Sequence, residues 1–120
     1  KVEADSLLLA FPDTASACRG VDAIEAVLRR ANRGRPPGEQ LAFSYGVGFG
    51  QVLELDDDVF GLEVNLASKL GEDLGRPGEV LLTPSAAQAL PAPLRRRLVP
   101  YGQVSFAGRP MPVERLRPRH

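Results

Sequence analysis

The stretch DDDVFGLEVNLASKL, Asp56 to Leu70, decides how the rest of the chain is read. Three acids precede an apolar pair and a glycine. Val64, Ala67, Leu70 and Leu74 then recur at helical spacing. The pattern predicts a helix over 61–74 with one buried face. Asn65 and Lys69 stand four residues apart, so that helix carries an amide and an ammonium on one rim. Asparagine is mildly unfavourable inside a helix, which directs attention to a role for its side chain. Asp56 and Asp57 read as solvated loop carboxylates.

Upstream, LAFSYGVGFGQVLEL, Leu41 to Leu55, reads as a glycine-broken strand pair with its turn at Gly50. GVGFG lacks the spacing and the following helix of a dinucleotide loop, so its glycines read as backbone packing. Further back, Ala17, Val21, Ile24, Leu28 and Ala31 step by four and three. They predict a helix opened by a cap at Asp13 or Thr14 and stopped by Gly34, Pro36 and Pro37. SLLLAF, Ser6 to Phe11, reads as a buried strand, and a preceding strand with a tight turn at Ala4-Asp5 would make a hairpin with it. Downstream, Val80 to Leu82 is a strand and Thr83-Pro84 opens a short helix. Gln103 to Phe106 and Met111 to Leu116 form a hairpin turned at Gly108. The order β-β-α-β-β-α-β-α-β-β argues for an α+β or α/β layering on a mixed sheet.

Bulk properties bound the function. The 120 residues suffice for one domain. Lys+Arg and Asp+Glu balance at 15 each, so a non-specific grip on nucleic acid or anionic membrane is not expected. One cysteine, Cys18, excludes an internal disulfide and fits a reducing, cytoplasmic compartment; it reads as a small buried hydrophobe. No apolar run approaches a membrane span. No cluster has zinc spacing, and a single terminal histidine, His120, builds no Ser-His-Asp set. Arg95 to Arg97 read as a solvated face.

Five segments, in order, resemble the catalytic domain of class III nucleotidyl cyclases, the adenylyl and guanylyl cyclases. KVEADSLLLAF is similar to their Lys-x-x-Gly-Asp hairpin, and YGVGFGQV to their Gly-Ile-His-Thr-Gly-Glu-Val strand pair. DVFGLEVNLASKL resembles Asp-x-x-Gly-x-x-Val-Asn-x-Ala-x-Arg-Leu. RPGEVLLT and FAGRPMPVERL are similar to the Pro-Gly-Glu strand and the closing hairpin. The resemblance implies a ferredoxin-like βαββαβ core with a C-terminal hairpin, a mixed sheet with helices packed on it. It implies a single cyclase-homology domain over 1–120 that starts after the family's first metal-binding strand, and a homodimer with the nucleotide in the groove between two copies. The reaction would be conversion of ATP to 3′,5′-cyclic AMP with Mg²⁺ or Mn²⁺.

Carried over by position, the resemblance makes Asp5 a metal ligand and sets Lys1 and Asp58 to read the adenine. It sets Asn65 to orient the ribose, and puts Lys69 where the family has its transition-state arginine. The pairing of an ammonium with a carboxylate favours ATP over GTP. The chain departs from the pattern at Lys69, at Ala4 for the hairpin glycine, and at Ala107 for the lysine of the closing hairpin, where Arg109 would substitute. The loop between Leu55 and Asp58 trims the usual dimerisation arm. These departures leave a second reading open, a degenerate cyclase-homology module for dimerisation or nucleotide sensing.

Overall fold

Asp13 starts the longest element. Its carboxylate accepts from the Ser16 N–H at 2.7 Å and caps α1, Thr14–Asn32. That bond holds the Asp13 carboxyl below the usual carboxylate range. The computed structural model describes residues 2–3, 6–56 and 58–119. Before α1 lies a small antiparallel pair, β1 (Val2–Glu3) and β2 (Ser6–Leu7). After it come β3 (Tyr45–Val47), β4 (Leu53–Leu55), β5 (Asp58–Phe60) and α2 (Leu62–Lys69). A π-helical turn, Leu70–Leu74, continues α2. Then follow β6 (Val80–Leu82), α3 (Pro84–Gln88), α4 (Ala92–Arg95), β7 (Leu98–Phe106) and β8 (Arg109–Leu116).

The main sheet has the order β3-β6-β8-β7, with β3 parallel to β6 and the other neighbours antiparallel. It is the mixed sheet of an α+β domain. The strand pair expected within 41–55, turned at Gly50, does not form. β3 pairs with β6 instead, and β4 turns at Asp56 to pair with β5. Asp56, read as a solvated carboxylate, is exposed and sits at φ +47° where β4 gives way to β5. The closing hairpin extends further than Gln103 to Leu116, and its turn at Ala107 (φ +51°) and Gly108 (φ +77°) is where the sequence placed it.

Alternation along the strands divides the core. Val47, Val80, Leu82 and Leu116 face one way, packed with Cys18 and Val21 of α1 and Ala86, Ala87 and Leu90 of the α3 segment. Leu81, Val104 and Val113 face the other way and pack on Leu70, with Leu74 and Met111 at the rim. Helix α1 therefore covers one face and α2 with its π turn covers the other. Cys18 is fully buried, as read, and burial pushes its thiol up to about 11.

Helix α2 lies on β3 almost backbone to backbone. A Cβ at Gly46 would collide with the Ala67 carbonyl and the Gly71 N–H, and one at Gly48 would come within 2.6 Å of the Glu63 carbonyl. The alternating glycines of YGVGFG are thus clearance for a helix. The Ser44 hydroxyl donates to the Gly71 carbonyl at 2.5 Å, inside the helical ladder. Gly75 N–H then reaches the Leu70 carbonyl at 2.8 Å, the wider π spacing.

Candidate functional site

Helix α2 starts at Gly61 (φ +152°) with no side-chain cap. Its anchorage comes from Glu63 in the first turn. Glu63 Oε1 accepts from the Phe49 N–H at 2.9 Å and from the Thr83 hydroxyl at 2.6 Å. Thr83 is completely buried, and its hydroxyl in turn accepts from the Ala86 N–H at 3.1 Å, capping α3. One carboxylate oxygen so joins the end of β3, the end of β6 and the starts of two helices. A carboxylate in the first turn also complements the helix dipole. Glu63 was not singled out from sequence; the signal was there in an acid two residues after a helix-starting glycine.

With Leu66 and Leu70 buried beneath it, α2 leaves the opposite side open. Leu62 is 65% exposed, Asn65 is exposed, and Lys69 is half-buried. Asn65 and Lys69 share that rim, as their spacing requires. Among the described residues Lys69 has no ion-pair or hydrogen-bond partner, and Glu72 and Asp73 do not pair with it. The ammonium is thus available to an anion, and the amide beside it can donate or accept.

Lys1 and Asp5 lie outside the described residues. Asp58 is in β5, in register with Leu55, and its side chain lies outside what is described. Arg109 is exposed beside the β7–β8 turn and shares no hydrogen bond or ion pair with Asn65 or Lys69. Exposed Ala107 puts a methyl group at that tip. Among the described residues no three His, Cys, Asp or Glu side chains are grouped to hold a metal ion.

The reading of Arg95 to Arg97 as a solvated face needs correction at Arg97. Its guanidinium forks onto both Asp22 oxygens at 3.0 Å, with each side chain 18% exposed, and ties the turn before β7 to α1. Beside α2 lies a patch of exposed apolar side chains, Phe49, Val52, Leu53, Leu55, Phe60 and Leu62, on and around the β4–β5 ribbon. Among the described residues no helix is long and apolar enough to cross a membrane.

No family profile matches the chain. Over 79 residues, 66% of the chain, it is 30% identical to a protein of Rhizobium meliloti (strain 1021) named "Putative adenylate cyclase 3". It spans only 13% of that relative's length. Its fold matches the crystal structure of an adenylate/guanylate cyclase/hydrolase from Silicibacter pomeroyi with a TM-score of 0.75 at 22% identity. That match covers 92% of this chain and 66% of the other. The ordered motifs, the two-faced mixed sheet and these two likenesses together make the chain a class III cyclase-like domain.

Proposed function

We propose that the chain is half of a nucleotidyl cyclase active site that converts ATP to 3′,5′-cyclic AMP and pyrophosphate, completed by a second copy. One observation carries this reading. Helix α2 is fixed on a glycine-lined strand by Glu63 and presents a free Lys69 ammonium and the Asn65 amide on its open rim. In the reaction the ribose 3′-oxygen attacks the α-phosphorus and the bond to the bridging oxygen of the β-phosphate breaks. The 3′-hydroxyl loses its proton and pyrophosphate leaves. Lys69 would neutralise the charge that builds on the α-phosphate oxygens. Asn65 would hydrogen-bond the ribose and aim the 3′-oxygen. Lys1 and Asp58 would read the adenine edge, and Arg109 would meet the triphosphate.

Such a reaction uses Mg²⁺ or Mn²⁺ to polarise the phosphates and lower the pKa of the attacking hydroxyl. By the resemblance, Asp5 would ligate one. The exposed apolar ribbon beside α2 supports a partner chain there, since monomers rarely expose contiguous patches of this kind. The second reading, a non-catalytic nucleotide-sensing module, is favoured by Lys69. Lysine lacks the two-pronged donor of the arginine it replaces.

The test is cyclic AMP formation from ATP with Mn²⁺ by the purified full-length protein. Asn65→Ala and Lys69→Ala should each lower turnover about 100-fold, the scale for removing one transition-state donor. Asp5→Ala should abolish it, and Lys69→Arg should raise it. Lys1→Glu with Asp58→Cys should shift preference toward GTP. ATP binding without turnover, unchanged by Lys69→Arg, would establish the sensing module instead.

A further inference from the structure

On the sheet face opposite α2, two cavities adjoin along α1. One of about 210 Å³ carries the charges Asp22, Glu25, Arg29, Arg97, Arg117 and Arg119. The other, about 170 Å³, is walled by Leu28, Leu41, Phe43 and Pro77. Glu25, Arg29 and Gly78 line both, so the two make one groove with a polar and an apolar end.

The groove is built rather than incidental. The Asn32 side chain clamps the Leu41 backbone twice: its amide donates to the carbonyl at 2.8 Å, and its oxygen accepts from the N–H at 2.7 Å. Gly78 N–H donates to the Phe43 carbonyl at 2.7 Å. Gly78 sits at the junction with φ +85°, and a Cβ there would meet nothing nearer than Glu25 Oε1 at 4.0 Å.

The charges do not cancel. Asp22 is committed to Arg97, and Glu25 accepts from the Tyr45 hydroxyl at 2.6 Å. Arg117 donates to the Arg96 and Arg97 carbonyls at 2.6 and 3.3 Å. Among the described residues Arg29 and Arg119 have no carboxylate or hydrogen-bond partner. Four guanidiniums therefore face two engaged carboxylates.

We propose that this groove binds a small amphipathic carboxylate. Its head meets Arg29 and Arg119, and its apolar body crosses Gly78 onto Leu41 and Phe43. A planar carboxylate suits a guanidinium fork. The Glu25 carboxylate at the junction favours a monoanion over a dianion. The proposal is independent of the cyclase reading, because the groove shares no residue with Asn65 or Lys69.

The test is an amide NMR titration of the whole chain with sodium octanoate, its uncharged counterpart octanamide, and inorganic phosphate. Octanoate should give saturable shifts in 22–32, 41–43, 77–80 and 116–119. Arg29→Glu, at an exposed site, and octanamide should each weaken binding at least about tenfold, the cost of the lost charge-assisted pair. Leu41→Ser should weaken octanoate while leaving phosphate unaffected. Four outcomes overturn the proposal: no saturation at millimolar octanoate, equal binding to Arg29→Glu or of octanamide, equal binding of phosphate, or shifts confined to the β4–β5 ribbon.

Discussion

Helix α1 and helix α2 cover opposite faces of one sheet, and each is held there by a different means. Nineteen residues of α1 lie on the sheet through side chains, with Cys18 and Val21 sunk among Val47, Val80 and Leu82. The eight residues of α2 are too short to be stable alone. They lie on β3 where glycines remove the side chains, and one carboxylate pins their first turn. Side-chain packing supplies free energy, whereas close backbone approach and a buried hydrogen-bond node supply position. The helix with the candidate chemistry is the one held by position.

Substitutions should separate the two. The largest effect is expected at Leu82, fully buried under α1. Leu82→Ala should cost about 3–4 kcal/mol, the range for truncating a core leucine. It should lower protection from amide exchange across the whole chain. Gly46→Ala should cost about 1–3 kcal/mol, as overpacking does, and lose protection mainly over 62–74. If exchange in 62–74 is unchanged while the denaturant midpoint falls, α2 does not depend on its glycine seat. Next is Glu63→Ala, which strands the Thr83 hydroxyl and the Phe49 N–H for about 1–2 kcal/mol. Glu63→Gln keeps the accepting oxygen and should recover most of that in a urea melt.

On the α1 side the comparison is sharpened by the pH dependence of Cys18. Burial raises its thiol from 9.0 to about 11. A group raised in this way favours folding fully below pH 9, and that contribution is lost as pH climbs through about 11. Stability against pH should fall across this window. Cys18→Ala should flatten the fall, the difference between the two curves isolating the thiol. A thiol reagent at pH 8 should leave the native chain unlabelled and label it in urea.

Local rules made much of this legible. The Asp13 cap, the α1 stripe, Val80–Leu82, the Thr83-Pro84 helix start and the Gly108 turn all depend on near neighbours in sequence. The glycines of YGVGFG were readable as packing, though not as a helix seat. What stayed hidden depends on distant partners. β3 pairs with β6, 35 residues on, and nothing in either segment names the other. The strand that starts at Asp58 stayed hidden because the apolar ribbon it joins has no core to pattern it. The ion pair of Arg97 with Asp22 spans 75 residues, so an arginine run read as solvated. At the candidate site, Asn65 and Lys69 follow from helical period alone. Glu63 escaped because an acid in a first turn has an ordinary explanation ready. The wider likeness to cyclases was carried by motif order over the whole chain, which needs no knowledge of who touches whom.

The bond between Tyr45 and Glu25 also has an optical consequence. The chain holds two tyrosines and no tryptophan, so its ultraviolet emission comes from Tyr45 and Tyr101. An excited phenol bonded to a carboxylate passes on its proton and glows weakly, which leaves exposed Tyr101 as the main emitter. Anything that draws Glu25 away brightens Tyr45, so the molecule carries its own gauge for events along α1.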